Sequence, residues 1–332
     1  MGVVSTINLE RFLCGNSANQ KAVATETDHI CSEIGFLSVV GHGVSDTIIQ
    51  NIYDRSKCFF RDSIEAKLSV AQTKPDIIRG YIGLGKSALG STIGNDTPPD
   101  LKETFSMGPE AVENNPYFSA PGSRSHFAPN LWPVGDPHFK DAWLNYWNAM
   151  TKLSENLMQL FAHALGLKTD HFYTQIDRHV SVLSAMFYPD QPNPPEPGQL
   201  RAGAHTDFGT MTILKPDNAP GGLQVMTKNG IFEPVSAPPD AFIVNIGDMM
   251  ARWTNDRWVS TMHRVVNPPI DQKLSTERLS LGFFHQPNYD AVVSCLPNCK
   301  EVGKSAKYPP VAAGDHLHAQ FSAQARDSEM ES

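Results

Sequence analysis

From about residue 178 to residue 290 the chain is divided into short runs rich in Val, Leu, Ile, Phe and Thr, separated by clusters of Pro, Gly, Asn and Asp. The runs at 181–188, 200–206, 208–214, 222–226, 241–246, 257–260, 262–266 and 278–285 have strand length, and each is too short for a core helix. Many short strands with turn residues between them bury their apolar faces by stacking or closing on one another, so this stretch is expected to form a β-sandwich or barrel. The rest of the chain must then pack around that core.

The preceding part has a different period. Ser17 is placed to cap a helix that runs through Ala22 and Ile30 and ends before Gly35. An apolar strand, 36–40, follows, and Ser45 with Asp46 opens a second helix carrying Ile48, Ile49, Ile52 and Tyr53. Residues 71–135 are rich in Gly, Pro, Asn and Ser and read as loops with short helices. The longest helix starts at Asp136 and Pro137 and stops at Gly166. Trp143, Trp147, Met150, Leu153, Leu157, Leu160, Phe161 and Leu165 recur along it at spacings of three and four, the signature of a core-facing stripe. The expected organisation is a helical and loop region at 1–135, a long supporting helix and connector at 136–177, the β core at 178–290 and a C-terminal segment at 291–332, whose polar residues 322–332 are expected to fray.

The formal charge of −8 offers no general attraction for nucleic acid or for an anionic membrane surface, and no Lys/Arg-rich run is present. No apolar stretch approaches membrane-spanning length, and the amino terminus lacks a signal-peptide pattern. The five cysteines are odd in number and irregularly spaced, as reduced thiols of a cytoplasmic protein would be. Cys295 and Cys299 could form half of a metal site, but no second pair completes it.

The chemistry concentrates elsewhere. In a strand, His205 and Asp207 would project from one face with Thr206 on the other. His263 lies in a second β-favouring run, 258–266, and could supply a third ligand. Two histidines and one carboxylate leave coordination positions open, the arrangement that suits iron(II) binding both a co-substrate and dioxygen. Zinc is possible on ligand type, although no His-Glu-x-x-His motif accompanies the set. Arg278 and Ser280 also share a strand face, and a guanidinium with a hydroxyl grips the carboxylate of a small dicarboxylate such as 2-oxoglutarate. The competing reading of Arg278 is a surface arginine in an ion pair with Glu277 or a neighbour.

These residues carry a resemblance. Asn245-x-Gly247-Asp248, Trp253-Thr254-Asn255, Ser260, His263-Arg264-Val265 and Arg278-x-Ser280 resemble the iron(II)/2-oxoglutarate-dependent dioxygenases of the isopenicillin N synthase type. Phe187-Tyr188-Pro189, His205-Thr206-Asp207, Gly221-Gly222-Leu223-Gln224-Val225 and the segment 35–44 fit the same family, so the likeness spans about 30–290. It implies a mainly β fold, a distorted double-stranded β-helix (jelly roll) flanked by helices and preceded by a helical region. It also implies iron held by His205, Asp207 and His263, and 2-oxoglutarate bound by Arg278 and Ser280 with Tyr188 in contact. Dioxygen is the oxidant. A small molecule, expected to be a secondary metabolite, would be hydroxylated, desaturated or cyclised with release of succinate and carbon dioxide. The carboxylate at Asp207 argues against the halogenases of the wider superfamily, which have a small residue there.

Departures are visible. Met186 stands where many relatives have asparagine, and Gly41 replaces another before His42. The gap between His263 and Arg278 is long, and its extra residues, 268–276, are either a substrate lid or a surface turn. Two alternatives remain at this level: an isopenicillin N synthase-type iron oxidase that does not use 2-oxoglutarate, and a jelly-roll binding protein without catalysis. Arg79, Tyr81, Phe105, Phe187, Arg252, Phe284 and His285 are candidate pocket residues, each also readable as structural.

Overall fold

The computed structural model describes residues 2–90, 98–123, 125–191, 194–217, 219–269, 275–300 and 303–329. The chain begins with strand β1 (Ser5–Asn8), the short helix α1 (Leu9–Leu13) and helix α2 (Ser17–Glu33). The cap of α2 is Asn16, one residue before the expected Ser17, and its side chain accepts from the Asn19 amide. Strand β2 (Phe36–Val40) leads to α3 (Asp46–Phe60), capped by Ser45 as expected, and α4 (Ile64–Leu68).

The segment expected to be loops and short helices contains two strands, β3 (Gly80–Ile82) and β4 (Glu103–Met107). Helix α5 (Phe139–Ala164) follows; the Asp136 carboxylate accepts from the His138 amide just before its first turn. The C-terminal half contains α6 (Tyr173–Ile176), β5 (Val182–Tyr188), β6 (Ala202–His205), β7 (Met211–Pro216), β8 (Gly222–Met226), β9 (Phe232–Pro234), β10 (Phe242–Ile246), α7 (Asp248–Trp253), β11 (His263–Val266) and β12 (Arg278–His285). Strands β13 (Val292–Val293) and β14 (Val311–Ala312) pair with each other, and α8 (Ala313–Glu329) closes the description. The backbone is therefore helical through most of the tail expected to fray. The expected strand at 257–260 is irregular, because its amides are used elsewhere: Trp258 N–H donates to the Thr254 hydroxyl and Val259 N–H to the Cys31 carbonyl.

The strands form two principal sheets. The larger has the order β1-β2-β10-β7-β12-β5-β4-β3, and the smaller β6-β11-β8-β9. The central four strands of the larger sheet (β10, β7, β12, β5) and the four of the smaller make the jelly roll. The N-terminal region extends the larger sheet at both edges: β1 and β2 add beyond β10, β4 and β3 beyond β5. It thus forms a continuous sheet with the core.

Helix α5 covers the larger sheet on the face away from the smaller one. Trp143 meets the Phe105 ring at 4.9 Å, and Trp147 meets Phe283 at 5.2 Å. Of the expected stripe, Trp143, Met150, Leu153, Leu157, Leu160, Phe161 and Leu165 are buried in the main core, with Trp147 packed against it. Burying each large apolar side chain contributes about 1.5–3 kcal/mol, so this helix fixes one side of the sheet that carries half of the site. Among the described residues, no helix is long and apolar enough to cross a membrane.

Candidate metal centre and active site

Antiparallel pairing of β6 with β11 sets His205 directly opposite His263, with ring centroids 4.4 Å apart. Asp207 lies two residues past the end of β6, just before a bend at 208–210, and not within the strand as the i, i+2 pattern predicts. The carboxylate nevertheless reaches both rings: Oδ1 lies 3.8 Å from His205 Nε2, and Oδ2 lies 3.8 Å from His263 Nε2. One ligand atom from each of the three residues falls within 4.8 Å of the others, and all three residues are buried.

The surrounding hydrogen bonds orient these donors. His205 Nδ1 lies 2.7 Å from the Gly203 carbonyl, and His263 Nδ1 lies 3.0 Å from the Thr261 carbonyl. A carbonyl only accepts, so each Nδ1 carries the proton and each Nε2 presents its lone pair toward Asp207. Asp207 Oδ2 accepts from Asn245 Nδ2 at 2.7 Å and from the Thr212 hydroxyl at 2.5 Å. Burial lowers the His205 pKa, with a further push from His263, which favours the neutral ligand form. Burial opposes the Asp207 charge, but the two histidines, Asn245 and Thr212 outweigh it and hold the carboxyl below its ordinary range. The donor set is therefore two imidazoles and one carboxylate, which fits a divalent iron and leaves coordination positions unfilled by protein.

Sequence reasoning had seen Asn245-x-Gly247-Asp248 as a pattern without assigning it a task. It is the support of the carboxylate. Asn245 bonds the side chain of Asp207, Asp248 N–H donates to the Asp207 carbonyl at 2.8 Å, and Gly247 N–H donates to the Thr210 carbonyl. A Cβ at Gly247 would collide with the carbonyls of Gly209 and Asp207.

The three donors open onto a cavity of about 230 Å3 between the two sheets. Arg278, Ser280 and Tyr188 line it as well. Register explains their convergence: β12 pairs with β5 so that Arg278 faces Tyr188 and Ser280 faces Met186. Glu277 is engaged by Arg61 at 2.7 Å, so the alternative pairing of Arg278 with Glu277 is not formed. The Arg278 guanidinium donates to the Ala219 carbonyl at 3.0 Å, stands 3.9 Å from Asp217, and keeps its buried Nε without a partner. Burial raises the Tyr188 pKa, so its hydroxyl keeps its proton.

Of the other pocket candidates, Phe284 lines this cavity and the rest do not. Arg79 is a strut whose guanidinium donates to the carbonyls of Ile78, Pro109, His126 and Ala128. The Tyr81 hydroxyl bonds Glu103, Phe187 stacks on Phe60, Phe105 packs among Phe59, Phe139 and Trp143, Arg252 donates to the Pro309 carbonyl, and His285 bonds Thr210. Lining residues that the sequence reading missed include Lys102, Thr104, Phe208, Gln286 and Phe321. Lys102 Nζ donates to Asp100 Oδ2, and Asp100 Oδ1 accepts from the Gly203 amide, which ties the loop before β4 to the strand that carries His205.

Two departures acquire physical reasons. Met186 is a cavity wall opposite Ser280, so the polar group expected there is replaced by a thioether. Gly41 has φ +63°, and a side chain there would meet Asn8, which caps α1. Of the segment 268–276, readable as a substrate lid or a surface turn, residues 270–274 lie outside the described residues.

Comparison with known proteins agrees with this geometry. The family model described as the 2OG-Fe(II) oxygenase superfamily matches residues 178–287, and that described as non-haem dioxygenase in morphine synthesis N-terminal matches residues 4–135. The 2-oxoglutarate-Fe(II) type oxidoreductase hxnY of Emericella nidulans is 31% identical over 320 residues, covering 95% of this chain and 88% of its own length. Validamycin A dioxygenase of Streptomyces hygroscopicus subsp. limoneus is 30% identical over 322 residues, covering 95% and 85%. The crystal structure of a full-length Neurospora crassa protein in complex with alpha-KG and thymine superposes with a TM-score of 0.85 at 28% identity, covering 97% of each chain.

Proposed function

The chain belongs to the 2-oxoglutarate–Fe(II) oxygenase superfamily, and we propose that His205, Asp207 and His263 are its iron ligands and that Arg278, Ser280 and Tyr188 hold 2-oxoglutarate. As an enzyme of this superfamily it uses Fe(II), 2-oxoglutarate and dioxygen to oxidise a small molecule. The observation that carries the residue assignment is the convergence of two carbonyl-oriented imidazoles and a doubly bonded carboxylate on one cavity that also receives the buried, partly unpaired Arg278. Asp217, the carboxylate near Arg278 among the described residues, stands off at 3.9 Å and leaves Nε unpaired, so the guanidinium retains capacity for the distal carboxylate of 2-oxoglutarate.

An iron ion held there would supply the activation of dioxygen, coupled to conversion of 2-oxoglutarate to succinate and carbon dioxide. The protein's own residues do the rest. His205 and His263 offer lone pairs held in place by the Gly203 and Thr261 carbonyls. Arg278 and Ser280 fix the far end of the dicarboxylate, and the Tyr188 hydroxyl donates toward it. Apolar walls at Val182, Met186, Leu214, Leu223 and Phe284 exclude water around the reacting centre. The substrate class we propose is a secondary metabolite small enough for this cavity, since relatives include validamycin A dioxygenase and a structure with thymine bound. Five free cysteines accord with a cytoplasmic setting.

Anaerobic titration tests the assignment. Wild-type protein should bind Fe(II) and then 2-oxoglutarate; His263→Ala should lose the first and Arg278→Ala the second. Equal Fe(II) affinity in wild type and His263→Ala would refute the metal site.

A further inference from the structure

Strand β12 lines the cavity along much of its length. Alternate residues share a face, so Arg278, Ser280, Phe284 and, just past the strand end, Gln286 all reach the cavity. Gly282, between them, has no side chain; a Cβ there would press on the Met186 methyl at 3.0 Å and the Phe284 ring at 3.2 Å. The metal donors stand beside this stretch, because Thr212, which bonds Asp207, pairs with Phe284. At a rise of about 3.3 Å per residue, Ser280 and Gln286 are roughly 20 Å apart along the strand. A five-carbon dicarboxylate anchored at Arg278 does not span that distance, so Gln286 belongs to the other end of the cavity.

Gln286 is anomalous there. It is 6% exposed, its Oε1 is buried without a partner, and neither of its side-chain amide atoms hydrogen-bonds to a described residue. Around it stand Phe284 two residues earlier with Val182 paired to it, the Gly209 backbone against its Oε1, and the Ser181 hydroxyl, which accepts from its backbone amide; Phe208 and Phe321 line the same cavity. An orphaned buried carboxamide destabilises the resting protein, whereas an apolar side chain of the same length would fit the same walls without that cost. No hydrogen bond fixes the amide plane, so rotation about its last torsion brings donor and acceptor toward the cavity.

We propose that Gln286 determines specificity for the primary substrate, and that its carboxamide pairs with an amide or lactam edge, which donates and accepts side by side, on an otherwise apolar small molecule. This deepens the oxygenase reading and rests on the assignment of the Arg278 end to 2-oxoglutarate. Only a ligand with both functions satisfies the orphaned Oε1 and the unbonded Nε2 together, and a site built on buried polar groups rejects analogues that lack them.

The test uses the full chain, anaerobic and loaded with Fe(II) and 2-oxoglutarate, titrated calorimetrically with three six-membered rings: 2-piperidone, cyclohexanone and methylcyclohexane. Wild type should bind 2-piperidone at least about tenfold more tightly than the other two. Gln286→Met should bring that ratio to about one while leaving 2-oxoglutarate affinity unchanged and thermal stability equal or higher, and Gln286→Asn, which keeps the carboxamide, should retain the preference for 2-piperidone. Equal affinities for the three rings in wild type, or a ratio that persists in Gln286→Met, would overturn the proposal. Weakened 2-oxoglutarate binding in Gln286→Met would overturn it as well, by making Gln286 a co-substrate contact. A wild-type chain that binds iron but no 2-oxoglutarate would instead overturn the site assignment beneath it.

Discussion

Replacing Asn245 with alanine isolates the contribution of the support beneath the metal centre. Asn245 touches the metal site through one bond, Nδ2 to Asp207 Oδ2 at 2.7 Å, and is 3% exposed. Its backbone is fixed independently, since β10 pairs with both β2 and β7 through this residue. A buried hydrogen bond to a charged acceptor contributes about 1.5–3 kcal/mol. Thr212 still bonds the same oxygen, so the carboxylate loses one of two anchors and the lower half of that range applies. About 1.4 kcal/mol corresponds to tenfold in affinity, so Fe(II) should bind roughly 10- to 40-fold more weakly in Asn245→Ala, within the range known for residues that orient metal ligands. Anaerobic Fe(II) titration measures this directly, with circular dichroism confirming a native fold. At saturating iron most of the turnover should return, because the residue orients a ligand and does not meet the reacting atoms. Adding Thr212→Val should weaken binding by more than the two single effects combined, since the second loss frees the carboxylate entirely. A native Asn245→Ala protein with unchanged Fe(II) affinity would refute this account of how Asp207 is positioned.

Arg278→Lys should weaken 2-oxoglutarate by about tenfold or more despite the retained charge, because an ammonium cannot reproduce a planar two-point grip; calorimetric titration of the Fe(II) form reads it. Gly282→Ala should reduce stability by about 1–3 kcal/mol through overpacking against Met186 and Phe284, measurable by urea denaturation. Stability should also fall on acidification. Burial pushes His179 and His316 down to about 4 and His285 well below its ordinary value. A histidine with a depressed folded pKa contributes fully above its unfolded value of about 6.5 and loses that contribution as pH drops toward 4. The denaturation midpoint should therefore decline across that interval, and more gently in His179→Phe, whose ring keeps the stack on Trp147.

Strands in the second half were legible in the sequence because β5, β8, β10 and β12 are apolar runs bounded by turn residues. In the first half the same holds for β2, but not for β1, β3 and β4. Gly80–Ile82 is three residues long, and Glu103–Met107 carries Glu103, whose burial is intelligible only once Lys67 is seen to pair with it at 2.8 Å. Strand β1 is read as a strand only through its parallel partner β2. For the site, residue type and spacing brought out His205, Asp207, His263, Arg278 and Ser280 as candidates, and the family resemblance assigned them their roles. Gln286 was invisible because a lone glutamine before a proline carries no signal; its significance is a missing partner, which only a folded neighbourhood defines.

The departure of Asp207 from the strand is itself instructive. Residues two apart in a strand share a face, but their side chains run parallel, while three ligands must point at one ion. Cross-strand pairing solves this for His205 and His263. Asp207 needs the chain to leave the sheet and turn back, which exposes backbone groups that a regular ladder would have used. The β10–α7 corner meets them: Asp248 N–H takes the Asp207 carbonyl, Met249 N–H the Gly209 carbonyl and Gly247 N–H the Thr210 carbonyl. The Asn-x-Gly-Asp pattern is thus the counterpart of His-x-Asp, one carrying the proposed ligand and the other the backbone and side-chain bonds that let it leave the strand. A side chain at Gly247 would break this contact, and Gly247→Ala should lose iron affinity while its histidine ligands remain untouched.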